Sequence, residues 1–414
     1  MSRQTSEPST MATPDQPAWP AVISMALGVF GLVTAEFLPA SLLPPIAREL
    51  GITEGVAGQA VTATALVALV TSLLIATATR RLDRRLVLLA FSVLLIGSNL
   101  LVAFADGLPL LLLGRVLLGI ALGGFWTMSA AVAMRLVPPA LVPRALSMIF
   151  SGVSAATILA APVGSYLGDA LGWRSVFLVA AALALVTLVV QFLTLPSMAP
   201  SGATRLRTLV EVLLRPGVAA GMIAVVLVFT GHFAFFTYLR PYLEAATGAG
   251  IAAVSGILLG FGLANFAGTL LAGLFLERSL RLTLVSMPLL MAALGLGLVM
   301  LDPAPVAAFL MVALWGLAFG AVPVAWSTWV TRTVPDEAES AGGLVVAAVQ
   351  LAIALGAAGG GAIFDMSGAA GVFAAASLVL LLATLLVLGK VRLRSPDASP
   401  AGQPRGKRLK PASL

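Results

Sequence analysis

The chain contains no cysteine. Disulfides, thiolate zinc sites and a cysteine nucleophile are therefore excluded. Histidine occurs once, at His232, so a multi-histidine metal site cannot form. No P-loop and no HExxH motif is present, which argues against ATP-driven pumping and zinc hydrolysis by this chain. No enzyme activity, cofactor or metal is expected. Charge is also scarce. Charged residues make up 10% of the 414, where soluble domains carry roughly 25%. So few charges cannot cover a water-exposed surface, so lipid must cover much of it. The net charge of +7 lies in short loops and the tail, not on a binding face, and no nucleic-acid partner is expected. Residues 1–18 lack the basic start, apolar core and cleavage site of a signal peptide. They read as a disordered cytoplasmic tail.

Apolar length is what the sequence has in excess, with 60% hydrophobic residues. A run of about 20 such residues can cross a bilayer as a helix. Runs of this kind fall near 20–43, 56–79, 86–105, 108–134, 144–168, 175–195, 218–240, 251–276, 282–301, 304–331, 340–363 and 370–389. Backbone groups in hydrocarbon must bond within their own segment, so each run is expected to be a helix. The expected fold class is an all-α integral membrane protein of 12 transmembrane helices in two pseudo-symmetric six-helix bundles. The expected divisions are a first bundle at 19–196, a cytoplasmic linker at 197–217, a second bundle at 218–390 and a basic cytoplasmic tail at 391–414. Of 24 basic residues, only Arg48, Arg174 and Arg240 fall outside and Arg115 within a span if the N-terminus is inside. That asymmetry predicts cytoplasmic termini.

An internal repeat supports two halves. A shift of 196 residues superposes Pro45 on Pro241, Gly164 on Gly360, Asp169 on Asp365, Gly172 on Gly368 and Phe177 on Phe373. A shift of 197 superposes Gly119 on Gly316 and Gly123 on Gly320. Parallel repeats of this kind place a solute site between the halves, near mid-membrane.

Ionisable groups within the spans cost at least about 2.5–3.5 kcal/mol each, so each is a functional candidate. Glu36, Arg115 and His232 are the three, and they are the expected proton-coupling residues. Counted from the expected span ends, all three lie roughly 10 Å below the outer boundary. A structural alternative exists for each. Glu36 could stay protonated and bond a neighbouring helix, Arg115 could be held by backbone carbonyls, and His232 could be a packing residue. The expected solute cavity draws on Phe125, Trp126, Phe233, Phe236, Tyr238, Asn265, Trp326 and Gln350. The aromatics could stack on a planar solute or merely fill the core. Asn265 and Gln350 could bond a solute or join helices. In the loop Arg80 to Arg85, Asp83, Arg84 and Arg85 are the expected cytoplasmic gate, with a topology anchor as the plainer reading. Composition and spacing alone define a transporter and leave its solute open.

Arg115 followed by Gly119 and Gly123 resembles the helix 4 motif of the major facilitator superfamily, and Asp83-Arg84 sits where its loop 2–3 signature falls. Thr79 and Leu86 replace that signature's glycines. Ala161-Pro162 stands where proton antiporters usually carry Gly-Pro. The stretches Ala35 to Pro39, Glu54 to Gln59, Leu122 to Trp126, Met134 to Pro139, Arg215 to Val218, Phe233 to Tyr238 and Trp326 to Trp329 resemble nucleoside exporters of its drug/proton antiporter branch. The resemblance implies proton-coupled export of purine ribonucleosides such as inosine and guanosine, from a multi-pass protein of the bacterial inner membrane. The expected partners are that solute, protons and the lipid bilayer, and the expected assembly is a monomer. A sugar or multidrug exporter is the second reading, and a non-transporting membrane receptor or scaffold the third.

Overall fold

A computed structural model describes residues 16–138, 141–200, 206–248, 250–301, 305–334 and 337–391. Apart from 16–18 and Val391, the expected tails lie outside the described residues. The elements are α1 (Trp19–Leu50), α2 (Glu54–Ala57), α3 (Gln59–Ala78), α4 (Arg84–Ala103), α5 (Leu108–Leu136), α6 (Val142–Leu171), α7 (Trp173–Thr194), α8 (Leu206–Leu213), α9 (Val218–Thr237), α10 (Leu239–Thr247), α11 (Ile251–Arg278), α12 (Leu280–Met300), α13 (Pro305–Thr333) and α14 (Ala338–Lys390). No strand occurs among the described residues.

Eleven helical stretches among the described residues are long and apolar enough to cross a membrane. Ten correspond one to one with the first ten expected runs. The eleventh, Ala341–Lys390, is 50 residues long and holds the last two runs. Its helix is interrupted at Gly368, with φ 68° and ψ −173°. Without that break it would extend about 75 Å, against a hydrocarbon core of about 30 Å.

Helix ends follow local chemistry. Thr53 caps α2 through Val56 N–H, Asp83 caps α4 through Arg85 N–H, and Ser279 caps α12 through Leu282 N–H. The repeat is visible in the backbone too. Gly172 and Gly368, superposed by the 196-residue shift, both take positive φ, at 82° and 68°. Only glycine adopts that region without strain.

Helix α1 differs from its sequence expectation. The run was expected to end near residue 43, before Pro44-Pro45, but the helix continues to Leu50 with Pro39, Pro44 and Pro45 inside it. A helix-internal proline lacks an N–H and frees the carbonyl four residues back. Here the carbonyls of Ala35 and Ser41, opposite Pro39 and Pro45, accept guanidinium N–H groups from Arg115 and Arg240. At Pro39 and Pro45 arginines thus replace the missing donors. With the helix continuing to Leu50, Glu36 lies near the middle of α1.

Small residues set the helix pairing, as expected where lipid gives no hydrophobic drive for association. Gly119 and Gly123 of α5 seat against the backbone of Thr64 and Ala68 in α3. Their repeat partners Gly316 and Gly320 of α13 seat against Phe261 and Asn265 of α11. Helix α1 packs on α6, and α9 packs on α14. Contacts between the earlier and later helices run along α6–α11, along α3–α14, and from α1 to α10.

Candidate functional site

Helix α1 presents Glu36 to the protein interior, with 7% of its surface exposed. Its Oε1 atom is buried and has no hydrogen-bond partner among the described residues. Beside it, Arg115 is fully buried. The guanidinium donates from Nη1 to Ala35 O at 2.8 Å, from Nε to Ala60 O at 3.0 Å and from Nη2 to Glu36 O at 3.3 Å. Arg115 therefore bonds three backbone carbonyls, the structural alternative open to it from sequence, and not the Glu36 carboxylate. It ties α5 to α1 and α3, and leaves a carboxyl oxygen of Glu36 free.

His232 occupies the repeat-related position in α9. Its Nδ1 accepts a hydrogen bond from Trp315 Nε1 at 3.2 Å. The ring lies flat on Phe319, with centroids 3.2 Å apart and planes 2° apart. It also stacks with Phe236 at 5.9 Å and Phe261 at 6.2 Å, and meets Phe233 edge-on at 5.1 Å. A nitrogen that accepts an N–H carries no proton, so His232 enters this structure as an acceptor inside an aromatic stack.

The two halves meet at Phe37 and Phe236, whose rings form an edge contact at 5.3 Å. Phe37 follows Glu36 in sequence, and Phe236 stacks on His232. The structure thus joins Glu36, Phe37, Phe236 and His232 in one continuous chain of contacts. Phe37, Trp315, Phe319 and Phe261 were not singled out from sequence. Only Phe37 had a usable signal, its place beside the one intramembrane acid.

The remaining candidates are dispersed. Phe125 packs against Gly28 inside the first half, in a tight seam with Leu32, Phe91, Ser92, Leu95 and Gln191 that has no room for a water molecule. Trp126 stacks on Phe150 at 5.8 Å. Asn265 Nδ2 donates to Gly316 O at 3.3 Å, joining α11 to α13. Trp326 meets Trp329 edge-on at 5.4 Å. Tyr238 Oη donates to Ala357 O at 3.0 Å. Gln350 is buried, with Nε2 unpartnered among the described residues. Asp83 accepts from Arg85 N–H at 2.8 Å, from Met198 N–H at 3.0 Å and from Ser197 Oγ. Arg84 Nη1 reaches Thr79 Oγ1 at 2.8 Å, and Arg85 Nη2 reaches Phe192 O at 2.6 Å. These bonds fasten the 79–85 loop to the end of α7 and the residues after it, all before residue 200.

Membrane-length helices arranged as two sequence repeats, with buried polar groups where the repeats meet, define a membrane transporter. The chain belongs to the Major Facilitator Superfamily, whose profile matches residues 25–356 and, in a second match, 221–414. It is 47% identical over 379 residues to the purine ribonucleoside efflux pump NepI of Escherichia coli (strain K12), covering 92% of this chain and 96% of that one. It is 46% identical over 378 residues to NepI of Salmonella enteritidis PT4 (strain P125109), covering 91% and 95%. Among solved structures, a D-xylose-proton symporter superposes with a TM-score of 0.72 at 18% identity, covering 91% of this chain and 98% of that one. The inward-facing, unoccupied form of a bacterial homolog of the human lysosomal transporter Spinster gives 0.70 at 15% identity, covering 91% and 96%. These two likenesses concern the fold.

Proposed function

We propose that this protein exports purine ribonucleosides, inosine and guanosine among them, in exchange for protons by alternating access. The observation that carries the coupling is the free, buried Oε1 of Glu36 beside an Arg115 already committed to backbone carbonyls. A carboxyl in that setting can take a proton or a solute donor group, but not both at the same oxygen. The close relatives' names support the solute class, because 46–47% identity extends over nine-tenths of the chain.

In this reading the two runs within α14 are separate crossings that part at Gly368, giving twelve. Both termini are cytoplasmic, in a bacterial inner membrane. Residues 19–196 and 218–390 rock as units about a central site. Glu36 carries the proton. Phe37, Phe233, Phe236 and Gln350 contact the solute. Arg115 and His232 hold the two site-bearing helices, and Phe125, Asn265 and Tyr238 pack or brace helices. Inward proton movement supplies about 2.3 kcal/mol per charge per 100 mV.

The test is efflux of labelled inosine from proteoliposomes after a pH jump. The parent chain should move inosine against its gradient. Glu36→Gln should bind inosine yet lose the pH-driven component. Full pH-driven transport by Glu36→Gln would remove Glu36 from coupling. A thermal-shift panel of nucleosides, sugars and cationic dyes identifies the solute class, since only a bound solute stabilises the fold. Stabilisation by a sugar or dye instead of inosine would overturn the nucleoside assignment.

A further inference from the structure

Building on the nucleoside reading and resting on it, we propose that Thr34 and Thr230 bind the 2′,3′-diol of the ribose. These two hydroxyls, at matching positions in the two halves, then select ribonucleosides over deoxynucleosides.

A threonine inside a helix commonly bonds back to the carbonyl four residues earlier. Thr64, Thr187 and Thr384 do so, with Ala60, Leu183 and Leu380. Thr34 and Thr230 do not. Each Oγ1 is buried and has no hydrogen-bond partner among the described residues. Thr62 and Thr237 share that state, but only Thr34 and Thr230 superpose on each other under the 196-residue shift. They open matching tetrads, Thr34-Ala35-Glu36-Phe37 and Thr230-Gly231-His232-Phe233. Each hydroxyl therefore lies one helical turn before an aromatic ring on the same face. Thr34 stands at the middle of α1, and Thr230 near the middle of the α9–α10 stretch from Val218 to Thr247. Parallel repeats place a solute site at that depth.

Thr34 shares its helix face with Phe37 and Ser41, the α1 residues that meet the other half at Phe236 and Arg240. Thr34 and Thr230 are themselves half-buried, so no neighbour seals them. Both turns are held in place. Arg115 holds the carbonyl of Ala35, and Gly356 of α14 seats so close that a Cβ on it would lie 2.7 Å from Thr230 O and 2.8 Å from Ala234 N. Groups fixed in advance lose little freedom on binding. Two lone hydroxyls also select the ligand group. A hydroxyl donates and accepts, so it pairs with another hydroxyl in either direction. Ribose carries two on adjacent carbons. A purine edge has a fixed order of donors and acceptors, which suits an amide such as that of Gln350, whose Nε2 is unpartnered. The rings of Phe37 and Phe233, one turn further along, offer faces on which the base can stack. A buried hydroxyl without a partner lowers the stability of the empty protein, and the diol supplies the missing bonds.

The test is competition against labelled inosine on the purified full-length chain, with inosine, 2′-deoxyinosine, 3′-deoxyinosine and 2′,3′-dideoxyinosine as competitors. In the parent, Kd should rise about three- to tenfold on loss of either sugar hydroxyl and about ten- to hundredfold on loss of both. Thr34→Val and Thr230→Val should each weaken inosine by about three- to tenfold and leave dideoxyinosine within about twofold. Thr34→Ser and Thr230→Ser should keep the parent's discrimination. The empty double valine variant should melt no lower than the parent, because neither hydroxyl has a partner to lose. A lower melting temperature would give the hydroxyls a structural role and overturn the assignment. Valine variants that keep full discrimination, or that weaken inosine and dideoxyinosine by the same factor, would overturn it too. A parent that binds inosine and dideoxyinosine equally removes this assignment alone. A parent that binds no inosine removes the nucleoside reading along with it.

Discussion

Arg115 Nη1 donates to the carbonyl of Ala35 at 2.8 Å, and that carbonyl is free because Pro39 sits four residues on in the same helix. Arg240 repeats the arrangement at Ser41 and Pro45. Helix α1 is thus gripped at two proline-released carbonyls, one by an arginine of its own half and one by an arginine of the other. Lysine cannot copy the planar fork that reaches Ala35, Glu36 and Ala60 together. Arg115→Lys should lower stability by about 1–3 kcal/mol, the cost of leaving buried carbonyls unsatisfied. Calorimetric unfolding of the purified chain in detergent, parent against variant, measures it.

The loop before α4 has a pH signature. Burial pushes the Asp83 carboxyl up, but the Ser197 hydroxyl, the Met198 and Arg85 N–H groups and the nearby Arg135 charge outweigh it and hold it below its ordinary value. A carboxyl lowered on folding stabilises the protein above its unfolded value, and that contribution is lost as pH falls through the folded value. Asp83→Asn keeps a capping side chain and removes the charge. The variant should therefore be less stable than the parent at neutral pH, and the difference should shrink as pH drops below about 4. Melting temperatures recorded across that range for both chains decide it.

Trp315 and His232 make a separable prediction. Trp315→Phe keeps an aromatic ring against Phe235, which stacks on Trp315 at 3.7 Å, but leaves His232 Nδ1 without its donor. Stability should fall by about 1–3 kcal/mol. If His232 serves to position α9, the pH profile of inosine efflux should keep its midpoint in this variant. A shifted midpoint would return His232 to the proton path.

Helix packing predicts opposite results at two glycines of one repeat. A Cβ on Gly320 would lie 2.0 Å from Asn265 O, backbone against backbone, so Gly320→Ala should destabilise by about 1–3 kcal/mol. A Cβ on Gly256 meets nothing within 4 Å. Gly256→Ala should stabilise α11 by about 0.5–1 kcal/mol, because it removes the conformational freedom of glycine in the unfolded chain. Parallel thermal unfolding of the two variants gives the comparison.

Ten of the expected runs, the chain break at Gly368 and the paired glycines of α5 and α13 were legible in the sequence. Each depends on a local property: apolar length, a positive φ, or a side chain small enough for two backbones to meet. The partners of the buried polar groups were harder to read. Glu36 and Arg115 stood out by rarity, but rarity names no partner. The released carbonyl at Ala35 was the better predictor of where Arg115 goes, and its signal was the Pro39 four places later. The aromatic candidates dispersed because composition names an aromatic without telling which face of its helix it occupies. Phe125 turned to Gly28 inside one half, while Phe37 reached across to Phe236.

By itself the sequence determined that this chain lives in lipid, because scarce charge and repeated runs of apolar residues leave no other solvent for most of its surface. It also determined that its chemistry rests on very few ionisable groups. Tertiary structure decided what those groups do. It gave Arg115 to backbone carbonyls, left an oxygen of Glu36 free, gave His232 Nδ1 the N–H of Trp315, and brought Gly55 against Gly361 across 306 residues of chain. Such choices depend on helix rotation and on contacts between segments distant in sequence, and no local pattern encodes either.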